Sequence, residues 1–182
     1  MVELDRKGDD TMCGRYYFDT SYPKLQEILN KTHQTGIDFK EGEIFPTQYA
    51  PVLICHQNKI YSCFKRWGYQ LKIINARQET IHQRLLFRDD FRERRCIIPM
   101  SYFFEWDKHK TKHAFGNELY LAGFYNTQNE FTILTTESQG DLKPIHHRMP
   151  VCIEKEHIKD YLTDNLYATQ IIQTSKPPQR HF

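Results

Sequence analysis

The residues best able to do chemistry in this chain fall in a few short clusters. Glu105 lies in Tyr102-Phe103-Phe104-Glu105-Trp106, where Tyr102, Phe104 and Trp106 alternate with Phe103 and Glu105 at the period of a strand. A carboxylate in so apolar a segment must be paired or functional, because an isolated buried charge is costly. Burial raises a carboxyl pKa and makes Glu105 a candidate general acid/base near neutral pH; a salt-bridged structural role is the competing reading. His146-His147-Arg148-Met149-Pro150, ahead of the apolar Val151-Cys152-Ile153, joins a ready proton carrier to a cation suited to phosphate or carboxylate. Asn75-Ala76-Arg77 stands at a strand-to-helix junction, where polar side chains suit anion contact and where Asn also serves as an ordinary cap. Arg84, Arg88, Arg92 and Arg95 recur at i, i+4, i+8 and i+11. Asp89, Asp90 and Glu93 accompany them, so a solvated face with ion pairs competes with phosphate contact by the first arginines. Lys65-Arg66-Trp67 and Arg15-Tyr16-Tyr17 set cations beside aromatics, as single-stranded nucleic-acid sites do.

The cysteines divide into two kinds. Cys55, Cys63, Cys96 and Cys152 sit in apolar contexts and read as reduced packing residues, with a reducing cytosol as the setting. Cys13 differs: Gly14, Arg15 and Tyr16 follow it and no apolar run precedes it. The total of 5 is odd and shows no CxxC spacing, and the 9 histidines have no paired Cys/His spacing of a zinc site. Neither a metal nor a cofactor is expected.

The elements that must position these groups can be read from periodicity. Leu25, Ile28 and Leu29 after Pro23 predict an amphipathic helix near 22–32. Val52 to His56 and Lys59 to Trp67 form a hairpin across Gln57-Asn58, and Glu118 to Tyr125 with Glu130 to Thr136 form a second across residues 126–129. Residues 80–94 read as a helix, with Ile81, Leu85 and Phe91 near one face; further helical stretches cover 154–162 and 166–172. Hairpins interrupted by helices, without βαβ units, imply an α+β domain of mostly antiparallel sheet. Lys176-Pro177-Pro178-Gln179-Arg180-His181-Phe182 reads as a frayed end.

Composition bounds the answer. The 182 residues make one domain, 39% hydrophobic and 14% aromatic, which is globular rather than disordered. No apolar run is long enough to span a membrane, and no signal peptide is visible, so a cytoplasmic monomer is expected. A net charge of +2 excludes a histone-like polycation. Residues 1–11 carry Glu3, Asp5, Asp9 and Asp10 against Arg6 and Lys7, which leaves +4 on the remainder and room for a local basic groove. That first stretch has no periodicity and reads as a leader.

In order along the chain, Met12-Cys13-Gly14-Arg15-Tyr16, Phe45-Pro46-Thr47, Arg66-Trp67-Gly68, Asn75-Ala76-Arg77-Gln78-Glu79-Thr80, Arg94-Arg95-Cys96-Ile97-Ile98-Pro99, Tyr102-Phe103-Phe104-Glu105-Trp106, Phe131-Thr132-Ile133-Leu134-Thr135-Thr136 and Ile145-His146-His147-Arg148-Met149-Pro150-Val151 resemble the SRAP family, the SOS response-associated peptidases. The resemblance runs from Met12 to about Leu162. It implies a single α+β domain with a barrel-like, mostly antiparallel sheet and flanking helices. It also implies a DNA-damage function: binding single-stranded DNA and becoming covalently attached to abasic sites, at the nucleoid when bound. The family's nucleophile is a cysteine at residue two, exposed as the N-terminus when methionine is removed. By motif that residue is Cys13, with Asn75, Glu105 and His146 as supporting active-site residues. Arg15, Trp67, Arg77 and Arg148 match positions expected to line a DNA groove, and Arg84 is a further phosphate candidate.

The residue types suit that chemistry. A ring-opened abasic sugar is an aldehyde, and an α-amine with a pKa of about 7.7–8.0 is partly neutral at pH 7 and condenses with it. The thiol of the same residue then closes a thiazolidine, aided by tethering. Glu105 is assigned to proton transfer at the amine and imine, His146 to sugar ring opening, and Asn75 to orientation. As written, however, the Cys13 nitrogen is an amide bonded to Met12. Three readings stay open: Met12 is the initiator, processing (self-cleavage by Cys13, Glu105 and His146 included) removes residues 1–12, or the leader stays and the chain keeps only DNA binding or thiol chemistry. A Cys-dependent peptidase and a non-covalent single-strand binding module are the competing functions. Departures from the family pattern are Trp67-Gly68-Tyr69-Gln70, where Trp-Gly-Leu-Ile-Pro is usual, and a C-terminal stretch without a clear final strand.

Overall fold

The computed structural model describes residues 14–32 and 36–181, in which short strands alternate with shorter helices. β1 (Tyr16–Phe18) leads into α1 (Pro23–Lys31), where Pro23 supplies the backbone angle a helix start accepts and Leu25 and Ile28 are buried. β2 (Gly42–Ile44) precedes the hairpin of β3 (Tyr49–His56) and β4 (Lys59–Trp67). Its turn residues Gln57 and Asn58 have φ of 48° and 61°, the left-handed pair that suits a two-residue loop between twisted strands. Then come β5 (Asn75–Arg77), a 3-10 turn at Gln78–Thr80, α2 (Arg88–Glu93), β6 (Arg95–Met100), β7 (Tyr102–Trp106) and β8 (Lys112–Phe115). The second hairpin, β9 (Leu119–Tyr125) with β10 (Glu130–Glu137), is followed by β11 (Arg148–Pro150), α3 (Ile158–Thr163) and α4 (Asn165–Ile171).

The smaller sheet has the order β2-β1-β7-β8; the larger runs β11-β10-β4-β3-β6-β9, and β9 returns to pair with β10. The larger sheet therefore closes on itself as a ring rather than a true barrel, since β4 and β10 share only the pairs Glu130↔Arg66 and Phe131↔Trp67. Ladders are antiparallel except those of β10 with β4 and β5, which matches the expected α+β, mostly antiparallel architecture. The two sheets meet where the Tyr16 ring packs 5.2 Å from Trp67, itself stacked at 6.2 Å on Phe131.

Two expectations need correction. The helix read over 80–94 is confined to Arg88–Glu93. Ile81 and Phe91 are both buried, but Leu85 between them is 76% exposed, so the segment lacks a continuous apolar stripe and folds as successive turns. The C-terminus is not frayed along its described length. Gly116 N–H donates to the Gln179 carbonyl and His181 N–H to the Ala114 carbonyl, each at 2.8 Å, so residues 179–181 lie along the edge of β8. The His181 ring stacks 4.6 Å from Tyr102. The packing role of the four later cysteines agrees with their surroundings: all are free thiols, and burial pushes the Cys152 thiol up to about 12 and that of Cys96 higher.

Candidate active site

Glu105 is 4% exposed on β7. Its neighbour strand β1 pairs Tyr16 with Phe103, and Phe104 N–H donates to the Arg15 carbonyl at 3.0 Å, so the register brings Gly14 level with Glu105 before the chain enters β1. Gly14 follows Cys13 in the sequence; Cys13 and residues 1–12 lie outside the described residues. Strand alternation puts Tyr16, Phe103 and Glu105 on one face and Arg15, Tyr17, Tyr102, Phe104 and Trp106 on the other. Arg15 therefore sits across the sheet from Glu105. Its guanidinium pairs with Glu43 at 3.1 Å and lies 4.4 Å from the centre of the Phe45 ring and 5.2 Å from that of Trp106. Lys112 joins the cluster 2.6 Å from Glu43, and its hydrogen bond holds that carboxyl below its ordinary value.

Asn75, Arg77, His146 and Arg148 gather around β10. β5 lies parallel to it with Asn75 opposite Ile133 and Arg77 opposite Thr135, while β11 pairs Arg148 with Glu137. The position of Asn75 is tied to the small sheet through its predecessor: the Ile74 carbonyl accepts the Trp67 indole N–H at 3.1 Å, and Trp67 packs on Tyr16. His146 closes a turn on the Leu142 carbonyl, and its Nδ1 accepts the Arg148 backbone N–H at 3.1 Å. That bond leaves the proton of the neutral ring on Nε2; the Arg148 carbonyl, 3.3 Å from Nδ1, suits the charged ring. The His147 ring stacks on it at 4.6 Å.

Several residues expected to meet DNA are placed otherwise. Trp67 has no exposed surface, because Tyr16 and Phe131 enclose it; it is a floor beneath the site rather than a stacking platform. Arg148 is 9% exposed, with its guanidinium committed to Glu79 at 2.8 and 2.9 Å and to the Thr135 carbonyl at 2.8 Å. It works as a strut between the turn after β5 and β10. Burial raises the Glu79 carboxyl, and the Arg148 hydrogen bonds outweigh that effect to leave it below its ordinary value. Arg66 pairs with Glu130 at 2.7 Å, and Lys65 bonds Asn129 and lies 3.9 Å from the Tyr125 ring centre, so neither cation of that run is committed to a groove. Of the arginine stripe, Arg95 is buried and donates to the carbonyls of Phe91 and Arg92 and of Tyr161 in α3, whereas Arg92 pairs with Glu93 on an exposed face. Arg77 and Arg84 are exposed, Arg84 in the turns before α2.

Glu79, Thr135 and the pair Asp107–His113 were not singled out in the sequence. Glu79 stood inside the Asn75–Thr80 motif, but its partner is 69 residues away and no local pattern signals it. Among the described residues no cluster of three His, Cys, Asp or Glu could hold a metal ion, and no helix is long and apolar enough to cross a membrane.

The fold is that of a one-domain α+β protein, with a buried carboxylate on β7 and a turn-held histidine and an exposed arginine around β10. The chain belongs to the SRAP (SOS response associated peptidase) family, whose sequence profile matches residues 12–181. Similar curated proteins include the abasic site processing proteins YoaM and YobE of Bacillus subtilis (strain 168). YoaM is 30% identical over 90% of this chain and 84% of its own length; YobE is 34% identical over 83% and 82%. A crystal structure from Bacteroides thetaiotaomicron shares the fold with a TM-score of 0.68 at 18% identity, covering 92% of this chain and 86% of that one.

Proposed function

We propose that this protein captures abasic sites in single-stranded DNA as a covalent thiazolidine on Cys13. The observation that carries the reading is where the family match begins: at Met12, directly before Cys13, in a chain whose similar proteins are named abasic site processing proteins. The acting form starts at Cys13. Its α-amine adds to the aldehyde of the opened sugar and loses water to give an imine; the thiol then adds across the C=N bond, forming the S–C bond and placing a proton on nitrogen. The balance is amine, thiol and aldehyde in, thiazolidine and water out, with no redox partner. Glu105 shuttles the protons of these steps, His146 opens the sugar ring, and Asn75 orients Cys13 or the substrate. Arg15, Arg77 and Arg84 contact phosphates, while Trp67 and Arg148 support the site from within.

The test is a denaturing gel of protein with and without residues 1–12, mixed with single-stranded DNA bearing one abasic site. A shifted band only for the Cys13-terminated form is expected. No shift in either form rejects the reading. A shorter intact mass on incubating the longer form alone, with no shifted band in either form, would instead favour a self-cleaving cysteine peptidase, the activity in the family's name.

A further inference from the structure

The C-terminal segment carries more than the edge of β8. In the β7–β8 ladder Glu105 is directly opposite His113, and Trp106 opposite Lys112, so Glu105 and His113 leave the same face of the sheet. Asp107, two residues beyond Glu105, places Oδ2 2.9 Å from His113 Nε2, and Arg180 places Nη2 2.5 Å from His113 Nδ1. Arginine can only donate, so Nδ1 accepts and the imidazole proton sits on Nε2, pointed at the Asp107 carboxylate. Arg180 reaches this position because Phe115 bridges it and the flanking hydrogen bonds of Gly116 and His181 hold the segment in register. Among the described residues of this sheet, the ionisable groups on this face are Tyr16 on β1, Glu105 and Asp107 on β7, His113 on β8 and Arg180 from the C-terminal segment; Arg15, Lys112 and Glu43 belong to the opposite face.

We propose that the C-terminal segment is a working part of the site: Arg180 fixes the tautomer and ring plane of His113, and His113, directly across the ladder, sets the surroundings in which Glu105 exchanges protons. His113 and Arg180 are positioning residues, acting through Glu105. The inference rests on the covalent-capture reading for its kinetic consequence, though not for the contact itself. Asp107 fits the arrangement, because its hydrogen bonds from His113 and from the Thr111 and His109 backbone hold its carboxyl down at about 2, so it remains an acceptor at working pH.

Two measurements on the Cys13-terminated protein test this. Nitrogen-15 NMR of the histidine rings reads the tautomer, and the crosslinking rate on abasic single-stranded DNA is followed from pH 5 to 9. In the parent protein His113 is expected as the Nε2–H tautomer. In Arg180→Ala the released Nδ1 can take a proton, so the pH–rate profile gains an ionisation in the usual imidazole range and the rate on its acid side falls about tenfold. Arg180→Lys, which keeps a donor, restores the parent profile, and the double variant R180A/H113Q loses the added ionisation. A His113 Nδ1 that takes up no proton between pH 5 and 9 in R180A, or a rate scaled equally at every pH, overturns the proposal. If the parent protein itself forms no crosslink, the covalent-capture reading fails separately, and the nitrogen-15 signal of Nδ1, compared between parent and R180A, alone decides whether Arg180 controls His113.

Discussion

Glu105 and His146 meet different physical demands. Glu105 is enclosed on a strand among aromatic neighbours, where its protonation is set by the surrounding protein. His146 is only partly buried in a turn, and its ring is oriented by the backbone of Arg148. That difference fits a division of labour in which Glu105 serves the amine and imine while His146 serves the sugar. His146→Ala is therefore expected to slow crosslinking to a normal abasic site by about 10²-fold, the usual scale for a lost general acid or base. The same variant should react at the parent rate with an acyclic aldehyde analogue that cannot close its ring. Glu105→Gln should slow both substrates. Equal losses on the two substrates in His146→Ala would assign His146 to the imine steps instead.

At the scale of elements, β9 shows how tightly the ring is drawn. Gly123 lies between Cys96 of β6 and Ile133 of β10, and its carbonyl accepts the buried Tyr161 hydroxyl at 2.8 Å. A Cβ there would stand 2.6 Å from the Thr132 carbonyl oxygen and 2.4 Å from Ile98 Cδ1. The backbone oxygen cannot step aside as a side chain does. Gly123→Ala should cost about 1–3 kcal/mol in urea unfolding, the range for overpacking, and a variant as stable as the parent would show that β9 and β10 separate easily. Elements of this kind were legible where the pattern was local. The two hairpins and α1 followed from turn residues and periodicity, and Glu105 stood out as a charge within an aromatic strand. The burial of Trp67 was hidden because neighbours in a strand point to opposite faces: in Lys65-Arg66-Trp67 the indole turns into the core while Arg66 turns to Glu130. The partners of Arg148 were hidden because Glu79 and Thr135, which hold its guanidinium, are distant in sequence. The docking of residues 179–181 was equally hidden, since it depends on the open edge of β8 and on no periodicity of its own.

For the molecule as a whole, one short joint of the ring is the parallel contact of β4 with β10, and Glu130 fastens it. The carboxylate is 5% exposed and accepts hydrogen bonds from Arg66 at 2.7 Å, Asn126 Nδ2 at 2.8 Å and the Gln70 backbone at 3.0 Å. Burial pushes its pKa up, but these bonds prevail and leave it below the ordinary value. A carboxyl whose folded pKa is depressed contributes stability above its unfolded pKa and loses that contribution as pH falls through the folded value. Glu130→Gln keeps the shape and removes the charge. At pH 7 it should cost about 2 kcal/mol, the scale of a hydrogen bond to a charged group, and lower Tm by about 4–8 °C in a chain of this size. The gap between parent and variant should narrow steadily as pH falls below about 4.3, the ordinary glutamate value, because the parent carboxyl then binds a proton too. Thermal melts from pH 7 to pH 3 measure that convergence. A gap that stays constant over this range would mean the ring is held at β4–β10 by the Trp67–Phe131 stack and the backbone ladder, with the charge at position 130 contributing nothing.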